Sequence, residues 1–288
     1  MKYIIIAIAA VLLFIIIELI REFFCFRVTH YRISPDEAEN AGKTHRILFL
    51  SDMHNRVYGK ENCRLLRAVQ EEEPELILIG GDMLIGKSEY SFLPALHFVK
   101  SLAKICPVYY ANGNHEQRMK ENPMEYLYSY RQYRKELAEA GVHFLENESQ
   151  KIQLGEMLFY IAGVEVPMEC YSHFHRKNLK MEELIKRIGV CPEEGYPVLL
   201  AHNPADMETY FAWGAKLILS GHFHGGIVRI PGIGGVISTG FHLFPKYSGG
   251  IYHNGKQTAV VSKGLGSHTI PVRLFNPAEV VVLDISET

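Results

Sequence analysis

Two histidines stand two residues apart in the segment GHFHGG, which spans residues 221–226. The apolar run AKLILS precedes them at residues 215–220 and predicts a short buried strand. Flanking glycines let the backbone turn tightly and approach a ligand closely. Neutral imidazole binds zinc, iron or copper and also serves manganese. His222 and His224 are therefore candidate metal ligands at a strand end, although one His-x-His pair alone is weak evidence.

Four other apolar runs are followed by residues that bind metals or act in catalysis. The runs at residues 47–50, 76–79, 108–110 and 198–200 precede SDMH, GGD, ANGNHE and AHNP. In open α/β sheets, ligands bind beyond the carboxyl ends of the strands. If the five runs are parallel neighbours, their ends converge on one site. The candidate metal ligands at that site are Asp52, His54, Asp82, Asn114, His202, His222 and His224.

This mixed set of oxygen and nitrogen donors is too large for one tetrahedral metal ion, which takes four ligands. Two metal ions about 3.5–4 Å apart can share the set, with one carboxylate bridging them. Two divalent ions contribute four positive charges, from which Asp52, Asp82 and a bridging hydroxide remove three. The remaining positive charge favours an anionic substrate such as a phosphoryl group.

The elements that hold these residues alternate between strands and helices in the first half of the chain. They are predicted, in turn, at residues 46–51, 61–72, 75–79, 91–104, 108–111 and 123–140. Pro123 is expected in the first turn of the last helix. After residue 142 strand pairs predominate, with a hairpin turn at 154–156 and a closing strand at 280–285. The residues alone thus predict a layered α/β domain with a strand-rich second half.

Composition excludes several classes of protein. The chain has 288 residues, 48% of them hydrophobic, which suits one large domain with a sizeable core. A formal net charge of -2 and the lack of a basic stretch argue against a nucleic-acid partner. The five cysteines are scattered, so we expect neither a disulfide framework nor a structural zinc site.

The chain begins with an apolar run, YIIIAIAAVLLFIIIELI at residues 3–20, in which Glu18 is the one charged residue. A membrane span needs about 20 apolar residues, with about 17 as a lower limit. A cleaved signal peptide has a shorter apolar region of about 7–15 residues, followed by a small-x-small cleavage site. Residues 18–32 contain no such site. We therefore predict an uncleaved transmembrane anchor, with a cleaved signal peptide as the alternative.

The predicted organisation is a membrane anchor at residues 1–22, a connector at 23–43 and a catalytic domain at 44–288. This layout places the protein in the cell membrane with a single span. Arg21, Arg27 and Arg32 follow the span, whereas Lys2 precedes it. The excess of basic residues after the span leans toward a cytoplasmic catalytic domain. The margin is small, so the side of the membrane stays open.

The order and spacing of the motifs resemble those of the calcineurin-like metallophosphoesterases, from about residue 46 to the C-terminus. The matching blocks are Asp52-x-His54, Gly81-Asp82, Gly113-Asn114-His115-Glu116, His202 and Gly221-His222-x-His224. Blocks at 221–226, 244–247, 262–266 and 271–273 are similar to a membrane-associated bacterial branch that includes relatives of UDP-2,3-diacylglucosamine pyrophosphatase. Asn55 departs from the glycine or small residue that many members carry after the first histidine.

The resemblance implies a four-layer fold, a β-sandwich flanked by helices, in place of one doubly wound sheet. It also implies two divalent metal ions, for which manganese, iron, zinc and cobalt all suit these ligands. His115 is implied to be the catalytic residue, either as general acid for the leaving oxygen or as a clamp on the phosphoryl group. One ion would be bound by Asp52, His54, Asp82 and His224. The other would be bound by Asp82, Asn114, His202 and His222, so that Asp82 bridges the two ions.

The predicted function is hydrolysis of a phosphoester, of the phosphodiesterase or pyrophosphatase type, by a hydroxide that the two metals activate. Arg56 is a weaker candidate for contact with the substrate, and residues 167–180 and 232–250 are candidate rims of the pocket. The anchor favours a lipid-linked substrate, because tethering raises the local concentration of the site near lipid. Two alternatives stay open: a metal-binding adaptor that has lost turnover, and a nuclease of the same fold, which the charge disfavours.

Overall fold

The computed structural model describes residues 1–35, 43–127, 129–172, 175–226, 228–230, 232–237, 243–267 and 272–287. The helices in this part of the chain are α1 (Lys2–Phe24), α2 (Cys63–Glu71), α3 (Leu93–Leu102), α4 (Asn114–Glu121), α5 (Ser129–Glu139), α6 (Met181–Ile188) and α7 (Met207–Trp213). The strands are β1 (Phe26–Ile33), β2 (Thr44–Leu50), β3 (Leu76–Ile79), β4 (Val108–Tyr110), β5 (Val142–Phe144), β6 (Glu148–Leu154), β7 (Met157–Val164), β8 (Tyr196–Ala201), β9 (Leu217–Ser220), β10 (Arg229–Ile230), β11 (Gly234–Gly235), β12 (Gly250–Asn254), β13 (Gln257–Val261) and β14 (Ala278–Ser286).

The described strands form two six-stranded sheets and one short pair. The first sheet has the order β1-β14-β2-β3-β4-β5, and its strands β2 to β5 are parallel. The second has the order β12-β13-β9-β8-β7-β6, with four parallel strands in the middle and an antiparallel strand at each edge. Strands β10 and β11 pair separately. The predicted hairpin turn at 154–156 joins β6 to β7.

The side chains of β2 show how the layers pack. Ile47 and Phe49 lie in a core that the second sheet shares, to which β9 contributes Leu219. Leu48 and Leu50 lie in another core, on the opposite face of the first sheet. Successive side chains of a strand point to opposite faces, so a strand that is covered on both sides is a continuous apolar run.

Helices cover the outer face of each sheet. Helices α2, α3 and α5 contribute Leu65, Val99 and Tyr133 to the core on the first sheet. Helices α6 and α7 contribute Leu184 and Tyr210 to the core on the second. The resulting order of layers is helix, sheet, sheet, helix. The predicted α/β sandwich flanked by helices is therefore confirmed.

The five apolar runs that precede the candidate ligands do not lie in one sheet. The runs before Asp52, Asp82 and Asn114 are β2, β3 and β4 of the first sheet. The runs before His202 and His222 are β8 and β9 of the second sheet. The five runs are therefore divided between two sheets, so they are not all neighbours in one parallel sheet. The strand ends still meet, because the two packed sheets bring their carboxyl edges to the same side of the sandwich.

One helix begins later than predicted. The helix expected at residues 123–140 starts at Ser129, and α4 precedes it directly after β4. Pro123 lies in the turn between them. The carboxylate of Glu116 accepts a hydrogen bond from the Gly113 N–H at 3.1 Å, an arrangement that caps and starts α4. Helix α7 was not expected from the sequence.

Strand β1 falls within residues 23–43, where we expected a connector. All eight of its residues pair with β14, from Phe26 opposite Ala278 to Ile33 opposite Ile285. It is a half-exposed edge strand, so its apolar pattern is weak in the sequence. Residues 36–42, in the same predicted connector, lie outside the described part of the chain.

Helix α1 is 23 residues long and apolar enough to cross a membrane. A signal sequence near the N-terminus can also be long and apolar enough to meet this criterion. The helix therefore agrees with the predicted anchor without distinguishing it from a cleaved signal.

Candidate metal centre

Most of the candidate ligands lie on strained turns at the ends of three strands, β2, β3 and β9. Left-handed backbone angles are uncommon outside glycine and cost energy, so they mark sites where the surrounding structure imposes them. Five of the seven predicted ligands have a positive φ, namely Asp52 (53°), His54 (45°), Asp82 (54°), His222 (65°) and His224 (51°).

Backbone hydrogen bonds hold the turns after β2 and β3 against each other. The Asp52 N–H donates to the Gly81 carbonyl at 2.9 Å, and the His54 N–H donates to the Asp82 carbonyl at 3.0 Å. Gly81 has a φ of +90°, and a Cβ on it would lie 2.1 Å from the Gly113 nitrogen. Glycine is therefore required where these turns approach α4.

Glu116 braces the same turns from inside the protein, where it is fully buried. Its carboxylate accepts hydrogen bonds from the N–H groups of Asp82 at 2.8 Å and Met83 at 2.9 Å, and from the Tyr110 hydroxyl at 2.7 Å. Burial and the charge of Asp82 raise the pKa of Glu116 to about 7, while these donors favour the carboxylate. Glu116 was not among the predicted site residues, although its place three residues after Gly113 is typical of a capping box.

One group of predicted ligands consists of Asp52, His54 and His224, whose ligand atoms all lie within 4.8 Å of one another. His224 Nε2 is 3.2 Å from Asp52 Oδ1 and 3.1 Å from His54 Nε2. His54 Nε2 also lies 3.8 Å from Asp82 Oδ2. This carboxylate therefore links the first group to the second.

The second group consists of Asp82, His202 and His222, whose ligand atoms also lie within 4.8 Å of one another. His202 Nε2 is 3.2 Å from Asp82 Oδ2, and His202 Nδ1 donates to the Gly80 carbonyl at 2.6 Å. A proton fixed on Nδ1 leaves Nε2 of a neutral imidazole free to bind a metal ion. Asn114 begins α4 and is 4% exposed.

Three buried atoms, two from this second group and one from Asn114, test whether the residues suit a metal ion. Asp82 Oδ2, His202 Nε2 and Asn114 Oδ1 are buried, and none makes a hydrogen bond. Leaving a buried polar atom without a partner costs about 1–3 kcal/mol. Oxygen and imidazole nitrogen are both donors to divalent metals. The residues therefore fit a metal ion, which would bind donor atoms of these types.

The electrostatics of the cluster also favour a cation. Burial opposes ionisation of Asp52 and Asp82, but the neighbouring imidazoles outweigh it and hold both pKa values below the usual range. Burial lowers the pKa of His54 and of His222, so both imidazoles are neutral. Burial opposes the charged form of His202 as well, yet the two carboxylates raise its pKa to about 10. The centre thus attracts positive charge, as a proton on His202 or as a metal ion.

His115 is oriented differently from the candidate ligands. Its Nδ1 accepts a hydrogen bond from the Gly86 N–H at 2.7 Å, so a neutral ring carries its proton on Nε2. Nε2 lies 3.9 Å from Asp82 Oδ2, and the ring is 4.7 Å from that of His54. Burial lowers the pKa of His115, which favours this neutral form. The ring therefore presents an N–H donor at the edge of the cluster.

Arg56 has a different set of contacts from the one we expected. Its guanidinium lies 3.8 Å from the centre of the Phe23 ring and donates a hydrogen bond to the Phe23 carbonyl. These contacts place Arg56 at the end of α1. The predicted contact between Arg56 and substrate stays a prediction, and the position of Arg56 against Phe23 does not support it.

A cavity of about 330 Å³ opens beside His222. Its lining comes mainly from residues 170–172, 203–205 and 245–247, and aromatic and proline side chains make it largely apolar. Arg176 and Glu208 add charged groups to the lining. Two of these lining segments fall within the predicted pocket rims at 167–180 and 232–250, of which residues 173–174 and 238–242 lie outside the described chain.

The sequence of this chain also matches the pattern of a known family. The calcineurin-like phosphoesterase pattern matches residues 45–226, a range that contains all the candidate ligands. The chain belongs to the calcineurin-like phosphoesterase family. Membership identifies it as a metallophosphoesterase with candidate histidine and aspartate ligands for divalent metal.

Relatives of this metallophosphoesterase include two bacterial proteins. The uncharacterized protein YpbG of Bacillus subtilis is 27% identical over 79% of this chain and 76% of its own length. The phosphodiesterase YaeI of Escherichia coli is 24% identical over 83% of this chain and 82% of its own length. Among solved structures, the sulfate thiohydrolase SoxB of Thermus thermophilus matches with a TM-score of 0.50 at 15% identity. That match covers 86% of this chain and 58% of SoxB, and it supports the fold alone.

Proposed function

We propose that this protein is a membrane-anchored phosphohydrolase of the phosphodiesterase or pyrophosphatase type that uses two divalent metal ions. The observation that carries the proposal is the group of buried atoms without hydrogen bonds, Asp82 Oδ2, His202 Nε2 and Asn114 Oδ1. They lie beside a second group of ligand atoms around Asp52, and Asp82 Oδ2 is within 4 Å of atoms in both groups. The phosphodiesterase name of YaeI supports the diester class.

The proposed ligand sets share Asp82 between two ions. Asp52, His54 and His224 would complete one set, whereas Asn114, His202 and His222 would complete the other. Bound divalent ions supply positive charge that polarises phosphoryl oxygens and stabilises the charge that develops on them. Manganese, iron, zinc and cobalt all suit this mixture of carboxylate and imidazole.

The protein's own residues supply the remaining chemistry. His115 holds a proton on Nε2, at the edge of the cluster, where it can donate to the oxygen that leaves phosphorus. The Gly86 N–H fixes the ring so that this nitrogen faces the site. Glu116 keeps the Asp82 turn in its strained conformation, so the carboxylate stays in place through the reaction.

The proposed substrate is a phosphodiester or pyrophosphate linked to a lipid. The largely apolar cavity beside His222 can hold the part of the substrate that does not react. Helix α1 would keep the site near the membrane, with the anchor at 1–22 and the catalytic domain at 44–288. Tethering would raise the effective concentration of a lipid-linked substrate.

The test uses the full chain, purified in detergent, stripped of metal and reloaded with manganese. Hydrolysis of bis-p-nitrophenyl phosphate is compared with that of p-nitrophenyl phosphate, for the unsubstituted protein and for Asp82→Asn. The proposal predicts binding of two manganese ions, preference for the diester, and no turnover by Asp82→Asn. Metal binding without turnover of any diester, pyrophosphate or lipid-linked phosphate would instead favour the adaptor function.

A further inference from the structure

Helix α1 is exposed or partly exposed along its length, and one residue near its end is buried. Glu22 is 2% exposed, although it is charged. Its Oε2 accepts a hydrogen bond from the Asn276 N–H at 2.8 Å, and its Oε1 lies 3.3 Å from Arg21 Nη2. A buried carboxylate is retained only where it is paired, so this contact between distant parts of the chain requires explanation.

Asn276 connects Glu22 to the loop that carries a proposed metal ligand. Its side-chain amide donates to the carbonyls of His224 at 2.6 Å and Gly226 at 2.5 Å. Gly225, between them, has a φ of +72°, and a Cβ there would lie 2.2 Å from Asn276 Oδ1. The loop and Asn276 thus fit each other so closely that only glycine allows the contact.

Arg273, from the same segment as Asn276, fixes the other side of His224. Its guanidinium donates to the carbonyls of Lys263 at 2.7 Å and Gly266 at 3.1 Å. The Gly266 carbonyl lies 3.3 Å from His224 Nδ1. A carbonyl that accepts from Nδ1 sets the tautomer and the direction of the imidazole, which leaves Nε2 for the metal.

The end of α1 also touches the loop that carries His54. Arg56, two residues after His54, stacks on Phe23 and donates to its carbonyl. Arg64 donates to the Phe24 carbonyl at 3.2 Å. The loop that α1 contacts directly and the loop that it reaches through Asn276 therefore carry the two imidazoles whose Nε2 atoms are 3.1 Å apart.

The domain also lies against the apolar part of α1. The ring of Phe275 is 6.2 Å from that of Phe14, and Phe275 holds a strained φ of 54°. Phe14 is ten residues before the end of the helix, about 15 Å along its axis. The segment that supports His224 thus places an aromatic ring well inside the length of the proposed membrane span.

We propose that Glu22 is a positioning residue for the His224 loop, and that the end of α1 thereby holds the metal centre against the membrane surface. The proposal rests on the proposed function, because it assumes that His224 binds metal. The anchor is then a structural part of the site. Cleavage after residue 22, or a recombinant protein that begins at residue 25, would remove Glu22 and leave the buried Asn276 N–H without its partner.

Cobalt binding tests this role, because the visible spectrum of Co²⁺ reports the geometry of its ligands. Metal-free full-length protein in detergent is titrated with Co²⁺ for the unsubstituted chain, Glu22→Ala, Glu22→Gln and the control Glu18→Ala. We expect Glu22→Ala to weaken one of two Co²⁺ sites about tenfold and to change its spectrum. Glutamine keeps an oxygen for the Asn276 N–H, so Glu22→Gln should restore both. Glu18 pairs with Arg21 on the same helix and should have no effect.

A second variant removes the contact between Asn276 and the His224 loop, and it keeps the test decisive if Glu22→Ala fails to fold. Asn276→Ala leaves the backbone N–H for Glu22 but removes both donors to the His224 loop, so it should weaken the same Co²⁺ site. If Glu22→Ala folds, unchanged Co²⁺ affinities and spectra in that variant would overturn the positioning role. If it does not fold, the same result in Asn276→Ala would overturn it. Turnover by the unsubstituted protein would still uphold the proposed function in either case. An unsubstituted protein that binds no Co²⁺ would instead overturn the proposed function.

The membrane contact has its own readout. In nanodiscs, Phe275→Trp should lose fluorescence when the lipids carry bromine atoms on their acyl chains, since bromine quenches indole at short range. The natural Trp213, which is 6% exposed and donates to the Gly189 carbonyl, provides the background signal. Equal fluorescence in brominated and ordinary lipids would show that Phe275 lies in water and would overturn the proposed orientation.

Discussion

The two halves of the metal centre are supported in different ways. The turns after β2 and β3 are held by hydrogen bonds to each other and to Glu116, and the N–H groups of Leu265 and Gly266 add bonds to the carbonyls of Ser51 and Asp52. The loop after β9 is supported from outside its own sheet, by Asn276 and by Glu22 at the end of α1. The first half is therefore held largely by contacts between neighbouring turns, whereas the second depends on side chains from residues near both ends of the chain.

Asp82 joins the halves, so its substitution should have the largest effect. Asp82→Asn keeps the size of the side chain but removes the charge that both ligand groups share. We expect hydrolysis of a diester to fall by about a thousandfold or more, because metal ions contribute several kcal/mol of transition-state stabilisation. Bound metal, measured by mass spectrometry, should fall as well. Full activity in Asp82→Asn would show that the halves work independently.

His115 belongs to the first half and should affect chemistry without affecting metal content. His115→Gln removes the proposed proton donor, so hydrolysis of an alkyl diester should slow by about a hundredfold. Diesters with p-nitrophenolate as leaving group need little protonation and should slow much less. The ratio of the two rates measures the role of His115. Equal slowing of both substrates would favour the clamp on the phosphoryl group.

Glu116 tests whether the first half is self-supporting. Its carboxylate oxygens accept from three backbone N–H groups, and glutamine can offer only one such oxygen. Glu116→Gln should therefore lower the free energy of unfolding by about 1–3 kcal/mol, measured in urea with metal present. Glu139→Gln, whose carboxylate forms an exposed pair with Lys135, is the matched control and should change little. An unchanged midpoint for Glu116→Gln would mean that the turns are held by other contacts.

The same contrast explains what the sequence could predict. Asp52, Asp82 and His202 directly follow apolar runs, so a local pattern revealed the strands and the polar residues at their ends. A strand that is covered on both faces is apolar throughout, whether the strands form one sheet or two packed sheets. The local pattern could not distinguish these arrangements, so the division between two sheets followed from family resemblance. The left-handed turns were invisible, since the ligands are aspartate and histidine where such turns usually have glycine.

The supports of the second half could not be predicted from local patterns. Glu22 and Asn276 are 254 positions apart, and nothing in either neighbourhood indicates the contact. Strand β1 was missed for the same reason, because its partner β14 lies at the other end of the chain. Arg56 was a weaker candidate for substrate contact from its place after His54, and that stays a prediction, but its contact with Phe23 was not foreseen. The Glu22–Asn276 contact, strand β1 and the position of Arg56 all depend on long-range pairing, which sequence periodicity does not encode.

A substitution in the cavity beside His222 tests the second half with the smallest expected effect, because it should change substrate specificity alone. Tyr247 lines the cavity, and its ring centre lies 5.0 Å from that of Tyr252. Its hydroxyl donates a hydrogen bond to Glu208. Among the described residues, no ring contact or hydrogen bond joins Tyr247 to the predicted ligands. Tyr247→Ala should lower kcat/KM for an aryl or lipid-linked diester by about tenfold, the effect of losing part of an apolar pocket. Dimethyl phosphate is too small to fill the cavity, so its hydrolysis and the metal content should stay unchanged. An equal loss for both diesters would mean that Tyr247 supports the loop after β9 and that specificity is decided elsewhere.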